Sequence, residues 1–222
     1  MLFRFLLATM LATIAIPAVA MEQPHEQIEW TWSEFPKTID PSLPNILLQG
    51  DSITRAYYPL VVQALAGRAN IFLFATSASV GDVRLIRQIR DFSTLSAHYF
   101  AVIHFNNGMH GWGFSEMQYK AAFPTYVAAL QKIAPGTRLI WASTTSVKNP
   151  QPHGASENRI RERNAIALDF VEKNGISFDD QNQLMHNKND LYQDDVHFTA
   201  DGAALQAEQV VISITAALKR PS

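Results

Sequence analysis

The chain of 222 residues is 47% hydrophobic and 17% charged, with 18 basic and 20 acidic side chains, a formal net charge of −2 and no cysteine. A chain of this size buries a sizeable core as one domain without cross-links, and the missing thiols exclude cysteine nucleophiles, cysteine-ligated zinc and iron–sulfur clusters. No basic patch offers itself to a polyanion, so nucleic acid is not an expected partner.

Residues 1–20 come first in chain order. Arg4 precedes an apolar run over residues 5–16, Pro17 breaks it, and Ala18-Val19-Ala20 has the small-x-small form of a cleavage site. This pattern predicts a signal peptide removed after Ala20 and a secreted or periplasmic mature protein. No stable membrane span is expected after cleavage, because the run is short for a bilayer and no stop-transfer flank follows. Residues 21–44 are polar and punctuated by Pro24, Pro36, Pro41 and Pro44, and read as an N-terminal arm that packs Trp30 and Trp32 on the domain. From residue 45 to the end, short apolar runs alternate with longer amphipathic stretches. Strands are expected at 45–49, 70–75, 99–105, 138–142 and 176–178, and helices near 57–66, 83–92, 115–133, 156–173 and 200–219. Ser156 and Thr199 are placed to cap the last two helices. Strand–helix alternation implies a five-stranded parallel sheet in a three-layer α/β/α sandwich, and analogy with flavodoxin-like sheets gives the expected order 2-1-3-4-5. Ligands in such sheets sit beyond the carboxyl ends of the strands, near strands one and three.

Gly50-Asp51-Ser52-Ile53-Thr54 follows the first strand directly and puts Ser52 at a strand-to-helix turn on that edge. A serine needs a base to become nucleophilic, and the base needs a group to orient it. Asp194-Asp195-Val196-His197 supplies both just ahead of the last helix. His197 would take the hydroxyl proton and return it to the leaving alcohol, while Asp194 would hold the imidazole. Asp195 either tunes His197 or caps the last turn. Acyl transfer also requires donors aimed at the developing oxyanion. Gly81, after the second strand, allows a backbone N–H to come close, and Asn107, after the third, offers a neutral carboxamide. Singly, each has a plainer role: Gly-Asp-Ser as a turn, Asp194 as a cap, His197 as a surface or core residue, Gly81 as a helix entry, Asn107 as half of an Asn-Gly turn. Their common placement on one edge of the sheet favours a shared site.

On these residues the chain resembles the SGNH (GDSL-type) hydrolases, whose markers are a Ser in Gly-Asp-Ser after the first strand, a Gly, an Asn, and a His in Asp-x-x-His. The resemblance covers about residues 45–218. It implies the α/β/α hydrolase fold and a serine esterase working through an acyl-enzyme. The triad would be Ser52, His197 and Asp194, and the oxyanion hole Ser52, Gly81 and Asn107. One motif departs: the family usually reads Gly-x-Asn-Asp, whereas this chain has Phe105-Asn106-Asn107-Gly108, so strand register selects Asn107 while Asn106 stays open. The segment 103–112 resembles the branch associated with polysaccharide and acetyl-ester deacetylation. That implies short-chain, acetyl esters of carbohydrate as substrates, with Trp112, Tyr57 and His110 as candidate substrate-binding residues and core or rim packing as the alternative for each aromatic. The competing readings are a lysophospholipase or thioesterase-type lipolytic esterase, a periplasmic sugar O-acetyltransferase with the same triad, and a glycan-binding module. His104 and His110 lie six apart and His98, His153 and His186 are isolated, so no zinc-helix spacing occurs, and no phosphate-binding glycine loop is present. Neither metal nor cofactor is expected, and the expected partner is a small-molecule or glycan ester.

Overall fold

The computed structural model describes residues 25–151 and 154–219. The signal segment, the cleavage point after Ala20, and His153 lie outside these residues.

The apolar runs become strands β2 (Asn45–Gly50), β3 (Asn70–Thr76), β4 (Val102–Phe105), β5 (Arg138–Ala142) and β6 (Ser177–Asp179), all parallel. The period-2 alternation of strand side chains divides their residues between two cores. Ile46, Leu48, Ile71, Leu73, Val102 and Ile140 face one core; Leu47, Phe72, Phe74, Ile103, Phe105 and Trp141 face the other. Helices α1 (Ser52–Ala64) and α6 (Ala200–Lys219) cover the first through Val61, Val210 and Ile214. Helices α2 (Val83–Ser96), α3 (Glu116–Ile133) and α4 (Glu157–Lys173) cover the second through Ile89, Phe123 and Val171. These are the three layers the alternation predicts.

The sheet order is β1-β3-β2-β4-β5-β6. The five parallel strands keep the 2-1-3-4-5 order, and a sixth joins them from the arm. That strand, β1 (Thr31–Glu34), pairs antiparallel with β3, Thr31 opposite Thr76 and Glu34 opposite Leu73. Four mostly exposed residues carry too little apolar alternation to announce a strand; open backbone groups on the edge of β3 recruit it. Only one of the two indoles packs inward. Trp30 lies partly buried against the α1/α6 core, whereas Trp32 is 42% exposed, with the Arg55 guanidinium 3.7 Å from its ring centroid.

Other boundaries shift for local reasons. Helix α1 starts at Ser52, five residues earlier than expected, because Asp51 caps it by accepting from the Ile53 N–H at 2.9 Å. Strand β4 starts at Val102, where pairing with Ile46 begins. Ser156 caps α4, and the Thr199 hydroxyl accepts from the Gly202 N–H at the start of α6. The short helix α5 (Gln181–Met185) and a 3-10 turn at Asn189–Leu191 are too brief to show a period in the sequence.

Candidate active site

Ser52 is the first residue of α1, immediately beyond the carboxyl end of β2. A helix start leaves backbone N–H groups unpaired within the helix and carries a partial positive charge, so the Ser52 N–H is a ready donor to an anion. The second half of the site is a tight turn. Tyr192 and Phe198 form a β-bridge and pack with their rings tilted, 4.6 Å between centroids, closing the segment between them. Within it, Asp194 Oδ1 accepts from the backbone N–H groups of Val196 (2.8 Å) and His197 (2.7 Å). This is the local bonding that short acidic side chains favour in turns. It leaves Oδ2 for the ring: Asp194 Oδ2 lies 2.8 Å from His197 Nδ1, and His197 Nε2 lies 2.8 Å from Ser52 Oγ. Residues 145 positions apart thus meet in a continuous hydrogen-bonded line, with Nδ1–H donating to the carboxylate and the serine hydroxyl donating to Nε2. Partial burial alone would raise the Asp194 carboxyl, but the two backbone N–H groups and the His197 ring outweigh it and hold its pKa down to about 2.

Gly81 has φ +102°, a left-handed conformation, and a Cβ there would lie 3.0 Å from the Phe114 ring, so both backbone and space require glycine. Asn107 is buried, and its carboxamide ties this loop in place: Oδ1 accepts from the Val80 N–H at 2.7 Å and Nδ2 donates to Ala78 O at 2.9 Å. Only one Nδ2–H is committed there, and the other remains to be offered. Asn106 turns to the opposite side, giving Nδ2 to Ala142 O (2.7 Å) and Thr144 Oγ1 (3.4 Å). Between the two asparagines left open by the sequence, the geometry therefore favours Asn107 as the donor.

The three substrate-binding candidates separate. Tyr57 is 2% exposed and belongs to the core, so its assignment to a sugar-facing cleft is corrected. With α1 starting at Ser52, positions 53, 57 and 61 share one buried face, and Tyr57 gives its hydroxyl to Thr54 beside a small internal cavity of about 20 Å³ lined also by Gln181 and Gln206. Trp112 is half-buried, packed against the α1/α6 core, with the Arg163 guanidinium 4.1 Å from its ring centroid. His110 lies mostly buried beside it, its Nδ1 2.9 Å from Glu26 Oε1. Burial alone would lower its pKa, but the Glu26 hydrogen bond and the negative charges of Asp51, Glu26 and Glu29 raise it.

Several supporting residues escape a sequence reading. Asp195 neither bonds His197 nor caps: its carboxylate accepts from Asn149 Nδ2 and Gln151 Nε2, each at 2.6 Å, pinning the β5–α4 loop to the His197 turn. Arg163 is buried in α4 and donates to the carbonyls of His110 (2.9 Å), Gly111 (3.0 Å) and Phe114 (3.0 Å). A signal for it does exist in the sequence, because position 163 falls on the apolar stripe of Ile160, Ala167 and Val171, where a cation must find buried acceptors. His104 is fully buried, with Nε2 2.8 Å from Asp179 Oδ2, in keeping with a packed strand residue. Among the described residues no cluster of His, Asp or Glu is arranged to hold a metal ion, and no helix is long and apolar enough to cross a membrane.

Three solved structures similar to this chain share its fold at low identity. A carbohydrate esterase family 3 protein from Talaromyces cellulolyticus matches with a TM-score of 0.63 and 14% identity, covering 81% of this chain and 100% of that one. An acetyl esterase mutant with acetate ion matches with a TM-score of 0.64 and 13% identity, covering 80% and 99%. An acetyl-xylooligosaccharide esterase from Geobacillus matches with a TM-score of 0.60 and 14% identity, covering 77% and 94%. A comparison with curated protein sequences gave no match. The GDSL-like Lipase/Acylhydrolase family model, however, matches residues 48–205, a span that runs from β2 through the Ser52 turn and the His197 turn into α6. With the marker serine, asparagine and histidine assembled on one sheet edge inside that span, this chain belongs to the GDSL-like lipase/acylhydrolase family and is an ester-cleaving hydrolase.

Proposed function

We propose that the chain is an exported serine esterase that removes short acyl groups, acetyl foremost, from carbohydrate esters. The observation that carries this reading is the line Asp194–His197–Ser52, with 2.8 Å at each step. Ser52 Oγ attacks the ester carbonyl while His197 Nε2 takes its proton. The tetrahedral oxyanion is met by the N–H groups of Ser52 and Gly81 and the free N–H of Asn107. The bond to the alcohol breaks as His197 returns the proton, leaving the acyl group on Ser52. Water, deprotonated by His197, then releases the carboxylate and restores the serine. Carbohydrate as the alcohol part is supported by the descriptions of two of the similar structures, the family 3 carbohydrate esterase and the acetyl-xylooligosaccharide esterase, and acetyl as the acyl part by the acetyl esterase. Export rests on the sequence of residues 1–20.

An apolar groove of about 170 Å³ beside Gly81, lined by Val80, Val83, Leu85, Ile86 and Ala122, favours a second reading in which a longer acyl chain is accepted, as in a lipolytic esterase. One experiment addresses both. Aryl esters of increasing chain length and acetylated glycans are assayed with the wild type and Ser52→Ala. The expectation is hydrolysis that peaks at acetyl and falls by roughly a thousandfold or more in the variant. A peak at long chains would support the second reading, and turnover retained by Ser52→Ala would overturn the mechanism.

A further inference from the structure

We propose that the N-terminal arm is a working part of the site: Glu26, Glu29 and Trp30 form a strap that positions the two loops carrying the oxyanion donors Gly81 and Asn107. This rests on the esterase reading above. The family match starts at residue 48, so the strap lies outside the matched segment.

Topology puts it there. Because β1 runs antiparallel to β3 with Thr31 opposite Thr76, the residues before Thr31 continue past the carboxyl end of β3, onto the edge where Ser52 stands. Trp30 meets the loop after β3 with its backbone, N–H to Ser77 Oγ at 2.9 Å and carbonyl accepting from the Ser77 N–H at 3.1 Å. Glu29 accepts from Ser77 Oγ and pairs with Arg84, each at 2.8 Å. Arg84 in turn pairs with Asp82 at 2.5 Å, the residue after Gly81 and the cap of α2. The loop from 77 to 82 is thereby held at both ends. Glu26 reaches the loop after β4, taking His110 Nδ1 at 2.9 Å and the Gly111 N–H at 3.3 Å, while the Trp30 ring stands edge-on to His110.

The two loops also touch each other. Asn107 bonds to Ala78 and Val80, and Gly111, at φ +71°, lies so close to Ser79 that a Cβ would fall 1.8 Å from its hydroxyl oxygen. The strap closes this joint from outside. Its halves are coupled, since the Glu26 N–H donates to Glu29 Oε1 at 2.8 Å. Core burial accounts only for the Trp30 indole, since Ile28, in the middle of the strap, is 73% exposed. What remains is a set of directional polar contacts on loops whose donors act only once negative charge has developed. Donors of that kind depend on being held in place beforehand.

The test uses the mature full-length enzyme with Glu26→Ala, Glu29→Ala, the double variant and Glu26→Gln, measuring kcat and KM on an aryl acetate together with the melting temperature. A loss of transition-state positioning lowers kcat and leaves KM nearly unchanged. The expected result is a fall in kcat of about tenfold for each Ala variant with KM within about twofold. The double variant should fall well short of the product of the two losses, because coupled residues are not additive. Glu26→Gln should recover part of the rate, since its amide oxygen still accepts from Gly111 and His110. Unchanged kcat in an active, folded variant overturns the strap, as does a rate loss that only follows the melting temperature across all four. A wild type that does not turn over the acetate overturns the esterase reading itself, and the strap with it.

Discussion

Asn107 commits one carboxamide N–H to Ala78 O and its oxygen to the Val80 N–H, so a single side chain both locks the Gly81 loop and retains a donor. Removing it is expected to lower kcat by about a hundred- to a thousandfold with little change in KM. Asn106→Ala instead strands the acceptor Ala142 O and should register as a lower melting temperature with turnover per folded molecule preserved. The pair of kinetic and thermal measurements distinguishes the two neighbours, and the reverse assignment of effects would move the donor to Asn106. Much of the candidate site was legible at this scale, because Gly-Asp-Ser and Asp-x-x-His are compact chemical signatures bound to turns. What stayed hidden depended on three-dimensional parity. Phe105-Asn106-Asn107-Gly108 does not declare which amide faces the edge, and Tyr57 looked available only while α1 was expected to start at residue 57. Once Asp51 caps the helix at Ser52, that position rotates onto the stripe of Ile53 and Val61 and into the core.

The arm shows how an element without a periodic pattern acquires a place. Its strand contributes pairing to β3, and its preceding residues contribute charge to the site edge through Glu26 and His110. Four charged groups face or touch His110: Glu26 and Glu29 from the arm, Asp51 at the start of α1, and Arg163 of α4, which donates to the His110 carbonyl. Because the folded value of His110 is raised above the ordinary 6.5, the stabilisation it gives is fully present below about pH 6.5 and is lost as pH rises through the raised value. The arm should therefore loosen toward alkaline pH. Amide exchange at residues 26–30 is expected to quicken beyond the chemical pH effect as the imidazolium deprotonates, and Glu26→Gln should flatten that dependence; equal slopes in both proteins would disprove it. The long elements were legible because 2.0 and 3.6 periodicities are written over many residues. Strand β1 and α5 were not, since edge pairing creates the first and a single Asp180 cap starts the second, and the turn at Asn189–Leu191 is too brief to carry a period.

At the scale of the molecule, the three layers followed from strand–helix alternation and the strand order from analogy with flavodoxin-like sheets, whereas the buried polar contacts that tie the elements together were not legible. His104 on β4 and Asp179 at the end of β6 form a fully buried pair, steadied by Gln209 of α6 and Gln181 of α5. Burial alone would raise the Asp179 carboxyl, but the His104 contact and the two amides hold it down. Leaving a buried hydrogen-bonding partner unsatisfied costs about 1–3 kcal/mol, so Asp179→Ala should lose that much stability in denaturant unfolding while kcat of the folded fraction is kept. A loss below about 1 kcal/mol would show the pair to be incidental. Arg163 has a different reach. Its guanidinium gathers the carbonyls of residues 110, 111 and 114 under the Trp112 ring, from a helix that begins more than forty residues later in the chain. The loop of residues 110–114 is consequently not a portable cassette. Transplanted into a related scaffold without an arginine at that helical position, it would arrive with its sequence and lose its shape, and any exchange of substrate preference between family members must carry the loop and this helix turn together.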